Sequence, residues 1–273
     1  MVLDQFNLKD KIAVITGGGG LLGVKHAEAL LEADARVLLL DINAEALTQA
    51  AGKLNSAHCE TLICDITSEA EVRNALAHAI QKWKVAPHIL VNNAAIDPKV
   101  KKDDDGKNLS RLENFSLDQW NLEINVGLTG SLICAKVFGP EMLKNKSGVI
   151  LNIASDLGLI APDQRLYRKE GVPENLQNVK PVTYSVIKHG LIGLTKYLAT
   201  YWGPQGIRCN AFAPGGVFNN HPEEFVQKIS QLIPLGRMAN LDEYKAAVLF
   251  LCSDASSYMN GAVLTADGGR STW

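Results

Sequence analysis

The sequence predicts an α/β fold: a doubly wound parallel sheet of seven strands with helices on both faces, three layers deep. Three observations carry that expectation. Short apolar runs alternate with helical patterns along the 273 residues. A glycine run joins the first apolar run to the first helical pattern. No repeat, low-complexity stretch or linker interrupts the alternation, so residues 1–273 read as a single domain. Strands separated by whole helices imply crossover connections, and crossovers make the sheet parallel.

Taken in order, residues 11–16 are the first strand, and a helix opens after the glycines over 21–33. Residues 36–40 are the second strand and 43–54 the next helix. A third strand over 60–64 leads to a helix over 68–83, and 88–91 is the fourth strand. A long helix covers 117–143, the fifth strand 148–153, and a further helix 182–201. Residues 208–212 and 262–265 complete the sheet, with helical patterns between them. The stretches 97–114 and 162–180 break the rhythm. Both are polar, carry Gly or Pro and follow strands. Such loops, with a third over 216–235, are where an open α/β sheet binds its ligands.

Composition removes several function classes. Hydrophobic residues make up 47%, enough for a sizeable core. Lys and Arg number 27 against 29 acids, and no basic stripe is present, which argues against nucleic acid as a partner. No run of 18 apolar residues occurs, and Met1 to Asp10 lacks an apolar signal core, so neither a membrane nor secretion is expected. The five cysteines (Cys59, Cys64, Cys134, Cys209, Cys252) have no CxxC spacing. They read as buried thiols in a reducing cytoplasm. The six histidines are dispersed, and no ligand set for a metal is apparent.

The first functional feature is Thr16-Gly17-Gly18-Gly19-Gly20-Leu21-Leu22-Gly23, between the first strand and its helix. Glycines let a backbone turn tightly against a pyrophosphate, and the helix that follows offers free N–H groups to it. A glycine run alone is as easily a plain turn; the strand before and the helix after favour the dinucleotide. Asp41 ends the second strand, where a carboxylate accepts hydrogen bonds from the adenosine ribose and repels a 2′-phosphate. No Arg or Lys follows it directly or lies in the glycine loop, so the expected cofactor is NAD(H). The simpler role for Asp41 is to cap the next helix. Asp65-Ile66 could hold the adenine edge, and Asn92-Asn93-Ala94-Ala95 could line the cofactor.

The second feature is Tyr184-Ser185-Val186-Ile187-Lys188, which sets Tyr and Lys one helical turn apart on one face. An ammonium beside a phenol favours the phenolate, so the tyrosine can act as general acid or base on a hydroxyl or carbonyl. Alone, this spacing is common on surface helices. In company it is not: the glycine run, Asp65, Asn92 to Ala95, Asn125, Ser155, Tyr184, Lys188 and Pro214-Gly215 follow one another on one α/β pattern. That order resembles the short-chain dehydrogenase/reductase family in its compact, single-domain form, over about Leu8 to Gly269, with the Rossmann fold this implies.

The resemblance implies roles for the residues that match. Ser155 would hydrogen-bond the reacting oxygen, Tyr184 would be the general acid/base, and Lys188 would bind the nicotinamide ribose and tune Tyr184. Asn125 would hold a relay water with Lys188. Gly17, Gly20, Leu21, Leu22 and Gly23 would cradle the phosphates. Asn93, Ala94 and Ala95 would line the dinucleotide beside Asp41, Asp65 and Ile66. Pro214, Gly215, Val217 and Asn219 would border the carboxamide, with Asn219 where a Thr is usual. The chain departs from the compact pattern in reading TGxxGxxG, with Leu21 where a glycine is usual, and in having Ala95 where Gly is preferred. It also carries an insertion between Ser155 and Tyr184.

That insertion brings Asp163, Gln164, Arg165, Arg168, Lys169 and Glu170 to the border of the expected substrate cleft. Charge runs are usually solvated surface. The sharper expectation is that Arg165, Arg168 or nearby lysines clamp an anionic group. The loop after the fourth strand adds Lys99, Lys101 and Lys102, then Asp103, Asp104 and Asp105. The pattern is also similar to bacterial family members grouped with sugar or flagellin-glycan modification. The resulting expectation is an NAD(H)-dependent oxidoreductase interconverting a secondary alcohol and a ketone on a small polar, sugar-like or anionic substrate, assembled as a homodimer or homotetramer. The alternatives are a catalytically silent NAD(H)-binding or scaffold protein of the same fold, and an enoyl reductase, dehydratase or epimerase built on it.

Overall fold

The structure is a computed structural model and describes residues 1–96 and 108–273. Seven strands form one sheet: β1 (Ile12–Thr16), β2 (Arg36–Asp41), β3 (Cys59–Ile63), β4 (Ile89–Asn92), β5 (Gly148–Ile153), β6 (Ile207–Pro214) and β7 (Val263–Ala266). All pairs are parallel, and the spatial order is β3-β2-β1-β4-β5-β6-β7. The order reverses between β1 and β4, which opens a crevice at the carboxyl ends of those strands.

The helices are α1 (Leu21–Glu32), α2 (Ala44–Leu54), α3 (Glu69–Trp83), α4 (Leu117–Ile124), α5 (Gly130–Lys144), α6 (Val182–Trp202), α7 (Glu223–Ser230) and α8 (Lys245–Cys252). Polar caps set several starts. The Asn43, Ser68 and Ser116 side chains accept from the backbone N–H groups of Ala46, Glu71 and Gln119. The left-handed residues Asn55 and Lys84 stop α2 and α3.

Alternate residues of each strand feed two cores. Val14, Leu38, Leu90 and Ile150 face α3, α5 and α6, where they meet Phe138, Met142 and Trp202. Ile15, Leu39, Val91 and Phe212 face α1, α2 and α8, where they meet Leu30, Leu47 and Leu251. This is the period-two geometry of a strand buried on both sides. The chain from Leu117 to Lys144 is the one helical stretch among the described residues with the length and apolarity to cross a membrane. Here it packs on β4 and β5 and against α3 and α6. The sequence reads it as one regular helix; the structure interrupts it with a π-turn, Asn125–Thr129.

The insertion is organised rather than loose. It contains short 3₁₀ turns, Gln164–Tyr167 and Glu174–Leu176. Buried Asn108 stitches it to the preceding loop by donating to the Leu176 and Gln177 carbonyls and to Asn178 Oδ1. Leu166 also joins Ile229, Ile233 and Met238 in a small third core that ties the insertion to α7.

Candidate active site

The glycine turn is shaped by exclusion. Gly17 has φ 62, and a Cβ there would stand 2.8 Å from Ala94 Cα. A Cβ on Gly23 would stand 2.3 Å from the Gly17 carbonyl oxygen. Both obstacles are backbone atoms, so no rotamer change relieves them. Leu21 needs no such freedom: it is the first residue of α1, and Gly20 is the N-cap with ordinary negative φ. This is why the turn accepts a leucine where compact family members carry glycine.

The donors of the turn can be followed one by one. Gly18 N–H donates to Leu40 O, Gly19 N–H to Asp41 Oδ2, and Gly20 N–H to Gly17 O. The next three N–H groups, of Leu21, Leu22 and Gly23, have no acceptor among the described residues. They are the open donors of a helix N-terminus, the arrangement that receives a phosphate. The residues therefore fit a dinucleotide. Asp41 accepts from Gly19 at one oxygen and from Asn43 N–H at the other, so it both braces the turn and starts α2. Each oxygen retains a lone pair for a further donor.

β4 closes the crevice from the other side. Thr16 Oγ1 accepts from the backbone N–H groups of Asn93 and Ala94, and Asn93 Nδ2 donates to the Thr16 and Gly17 carbonyls. Behind them Asn92 Nδ2 donates to Asn152 Oδ1, and Asn152 Nδ2 to Thr195 Oγ1, a buried chain linking β4, β5 and α6. Hydrogen-bonded buried amides of this kind fix relative strand and helix positions, although Asn92 Oδ1 itself has no partner among the described residues.

A cavity of about 360 Å³ lies over these strand ends. Leu21, Leu22, Asn93, Ala95, Ser155, Tyr184, Lys188, Pro214, Gly215, Val217 and Asn219 all line it. The residues at 155, 184 and 188 thus share one compartment, which also reaches the start of α1. Gly17, Gly20, Gly23, Asp41 and Ala94 are not among its lining residues, and neither are Asp65, Ile66 and Asn125. Asp65 Oδ1 accepts from Thr67 N–H and Oγ1, while Ile66 packs on Gly130. Asn125 begins the π-turn and is exposed.

Lys188 is buried and donates to the Ile153 carbonyl at 2.8 Å. Burial, and then the charge of Lys180, push its ammonium down to about 8. Its Nζ lies 5.7 Å from the centre of the Tyr184 ring, and Lys180 Nζ lies 3.9 Å from the same centre. The tyrosine is therefore flanked by two ammonium groups. Ser155 Oγ donates to Asp156 Oδ1 at 2.7 Å and accepts from Leu157 N–H. Asp156 is held in turn by Arg270, 2.8 Å away, with both side chains buried.

Sequence reasoning missed Tyr167, Lys180, Asp156 and Arg270, all on the cavity wall. Lys180 precedes Tyr184 by four residues and Asp156 follows Ser155 directly, so proximity in sequence was the available signal. Arg270 had none beyond the adjacent Asp-Gly-Gly. Arg165 and Arg168, the expected clamp, do not line the cavity. Arg165 is spent on Asp163 through two guanidinium nitrogens, and Arg168 pairs with Glu174. Lys99, Lys101, Lys102 and Asp103 to Asp105 lie outside the described residues.

A family model described as enoyl-(acyl carrier protein) reductase matches residues 21–271. The chain is 32% identical to D-threitol dehydrogenase of Mycolicibacterium smegmatis, over 97% of this chain and 94% of that one. It is 30% identical to NAD-dependent glycerol dehydrogenase of Listeria innocua, over 97% and 95%. Among solved structures, a gluconate 5-dehydrogenase from Burkholderia cenocepacia in complex with NADP and tartrate superposes with a TM-score of 0.84 at 27% identity, covering 100% of both chains. With its glycine turn, parallel sheet and serine–tyrosine–lysine cavity, the chain belongs to the short-chain dehydrogenase/reductase family of nicotinamide-dependent oxidoreductases, in the family's compact form.

Proposed function

We propose that this protein is an NAD(H)-dependent dehydrogenase that interconverts a secondary alcohol and a ketone on a small, polar, sugar-like substrate, with Tyr184 as general acid/base. One observation carries the reading: Ser155, Tyr184 and Lys188 open onto the same cavity that begins at the first turn of α1. When bound, the nicotinamide accepts or donates the hydride. Tyr184 as the phenolate takes the hydroxyl proton as the carbinol is oxidised, and the phenol so formed returns it in reduction. Lys188 and Lys180, close to its ring, stabilise the phenolate by Coulomb attraction. Lys188 spends one of its three N–H donors on Ile153, which leaves two for a ribose or a water. Ser155 sets the reacting oxygen against Tyr184, and Asn125 at its π-turn serves the water relay.

Asp41 supports NAD(H) over NADP(H). Its carboxylate, already braced against Gly19, would meet a 2′-phosphate at close range. Relatives point both ways, one named as NAD-dependent and another seen with NADP. The substrate class follows the relatives' names, which include a tetritol, a triol and a sugar-acid dehydrogenase. The whole chain acts as one domain, in a reducing cytoplasm that suits its five free cysteines. It assembles as a dimer or tetramer through α4, α5 and α6, which expose Leu122, Leu132, Val186, Tyr197 and Tyr201. The test is a panel of polyols and sugar acids followed by nicotinamide absorbance with NAD and with NADP. NAD-dependent turnover that vanishes in Tyr184→Phe, with NADH binding retained, supports the assignment. NADH binding with no turnover across the panel favours the silent-binder alternative.

A further inference from the structure

Arg270 reaches the cavity from the C-terminal turn. Asp267 holds that turn by accepting from the backbone N–H groups of Gly269 and Ser271 at 2.9 and 2.8 Å. Gly269 takes the left-handed conformation there, φ 89, which turns the chain back under the cavity. The Arg270 side chain is buried, lines the cavity and donates one hydrogen bond, from Nη1 to Asp156 Oδ2. A guanidinium carries five N–H donors in a planar fork. The others have no acceptor among the described residues. Asp156 meets none of them: its Oδ1 accepts from the Ser155 hydroxyl and the Leu157 N–H, and its Oδ2 from Arg270 Nη1 alone. One carboxylate therefore separates Arg270 from the serine of the proposed reaction centre.

The charge around this fork is one-sided. Among the described residues the cavity wall carries three cations, Lys180, Lys188 and Arg270, and one carboxylate, Asp156. The chain as a whole has a net charge of −2. Open guanidinium donors on the cavity lining and a local excess of positive charge both favour an anion with two coplanar acceptors.

We propose that Arg270 anchors a carboxylate borne by the substrate, so that the preferred substrates are short polyhydroxy acids rather than neutral polyols. The choice of substrate rests on the dehydrogenase reading above; the anion site does not. Arg270 is a specificity-determining residue on this account. It receives the carboxylate through its open N–H groups while the carbinol lies toward Ser155 and Tyr184. The anchor expected from the insertion, Arg165 or Arg168, is replaced by an arginine far away in sequence.

Two substrate pairs differ only in a carboxylate for a hydroxymethyl: D-gluconate with D-glucitol, and D-threonate with D-threitol. With saturating NAD, the ratio of kcat/KM for acid over polyol should exceed one in the native protein and fall by about tenfold or more in Arg270→Gln. Arg270→Lys, which keeps the charge but loses the fork, should restore part of the ratio. If Arg270 only braces Ser155 through Asp156, both members of a pair lose kcat alike and the ratio stays put, which overturns the proposal. A native ratio below one also overturns it. Arg270→Gln leaves Asp156 buried without its counter-ion. Where that variant does not fold, Arg270→Lys alone is read, and its ratio should fall by about threefold or more. Should none of the four compounds be oxidised, it is the dehydrogenase reading that fails. The anchor is then tested by calorimetric titration of the NAD-loaded protein with tartrate. Binding that weakens by about tenfold in Arg270→Gln, or about threefold in Arg270→Lys, upholds it; absent or unchanged binding sinks it.

Discussion

The glycine turn and the substrate cavity sit side by side over the same sheet, yet they are built by opposite means. The turn is one short segment defined by backbone: a Cβ at Gly17 or Gly23 would strike main-chain atoms, and N–H groups are the main functional equipment. The cavity is assembled from side chains on segments far apart in sequence, from Leu21 to Arg270. A site made of contiguous backbone tolerates almost no added atom. One made of dispersed side chains can change its ligand by single substitutions while the scaffold stays.

The largest effect should come at the chemical end. Tyr184→Phe is expected to lower kcat by about a thousandfold, within the usual range for loss of a general acid/base, while the Kd for NADH changes little. A variant that retains turnover would remove Tyr184 from its role and leave the cavity a binding site only. Gly23→Ala tests the other member of the pair. The forced contact with Gly17 O should cost about 1–3 kcal/mol, read as a lower Tm, and should weaken NADH binding. If Gly23→Ala binds NADH normally, the turn is less tightly specified than its geometry implies. Asp41→Ala should next reduce the preference for NAD over NADP by about tenfold, the scale of a lost charged hydrogen bond. Preference ratios measured with both cofactors decide it.

Lys188 gives a pH test. Its ammonium titrates near 8 in the folded protein, below the ordinary 10.5, because burial disfavours the charge. A lysine depressed in this way binds fewer protons folded than unfolded between those values, so its contribution to stability rises with pH through that window and is least favourable below about 8. Activity should run the other way: as pH climbs through about 8 the Lys188 charge, one of the two beside Tyr184, is lost and turnover falls. Lys188→Arg, which stays charged, should lack that basic limb. The smallest effect is expected at Arg165→Ala. That side chain is 79% exposed and tied to Asp163, so KM should move by less than about twofold.

The parts built from contiguous chain were legible in the sequence. The strand–turn–helix around Gly17 to Gly23, Asp41 at the end of β2, and the Tyr184–Lys188 spacing each need only local periodicity, and the structure places them as that periodicity implies. What was not legible depends on long-range contact. Nothing near Arg270 points to Asp156, 114 residues away; Arg165 differs, because its neutralising partner Asp163 stands two residues before it and was within reach of the sequence. The π-turn was hidden for another reason. An apolar periodicity broken by one extra residue still reads as a long helix, and only packing on two different partners reveals the slip.

That slip makes the central helix two phase-locked pieces. Upstream of Asn125–Thr129, α4 is oriented by α6; downstream, α5 is oriented by α3, β4 and β5. Deleting a single residue within the turn would rotate one piece by about 100° relative to the other. Phe138 and Met142 could then keep their places under the sheet only if α4 swung off α6, the helix that carries Tyr184 and Lys188. Indels in this short stretch should therefore be far less tolerated than substitutions, although none of its residues lines the cavity.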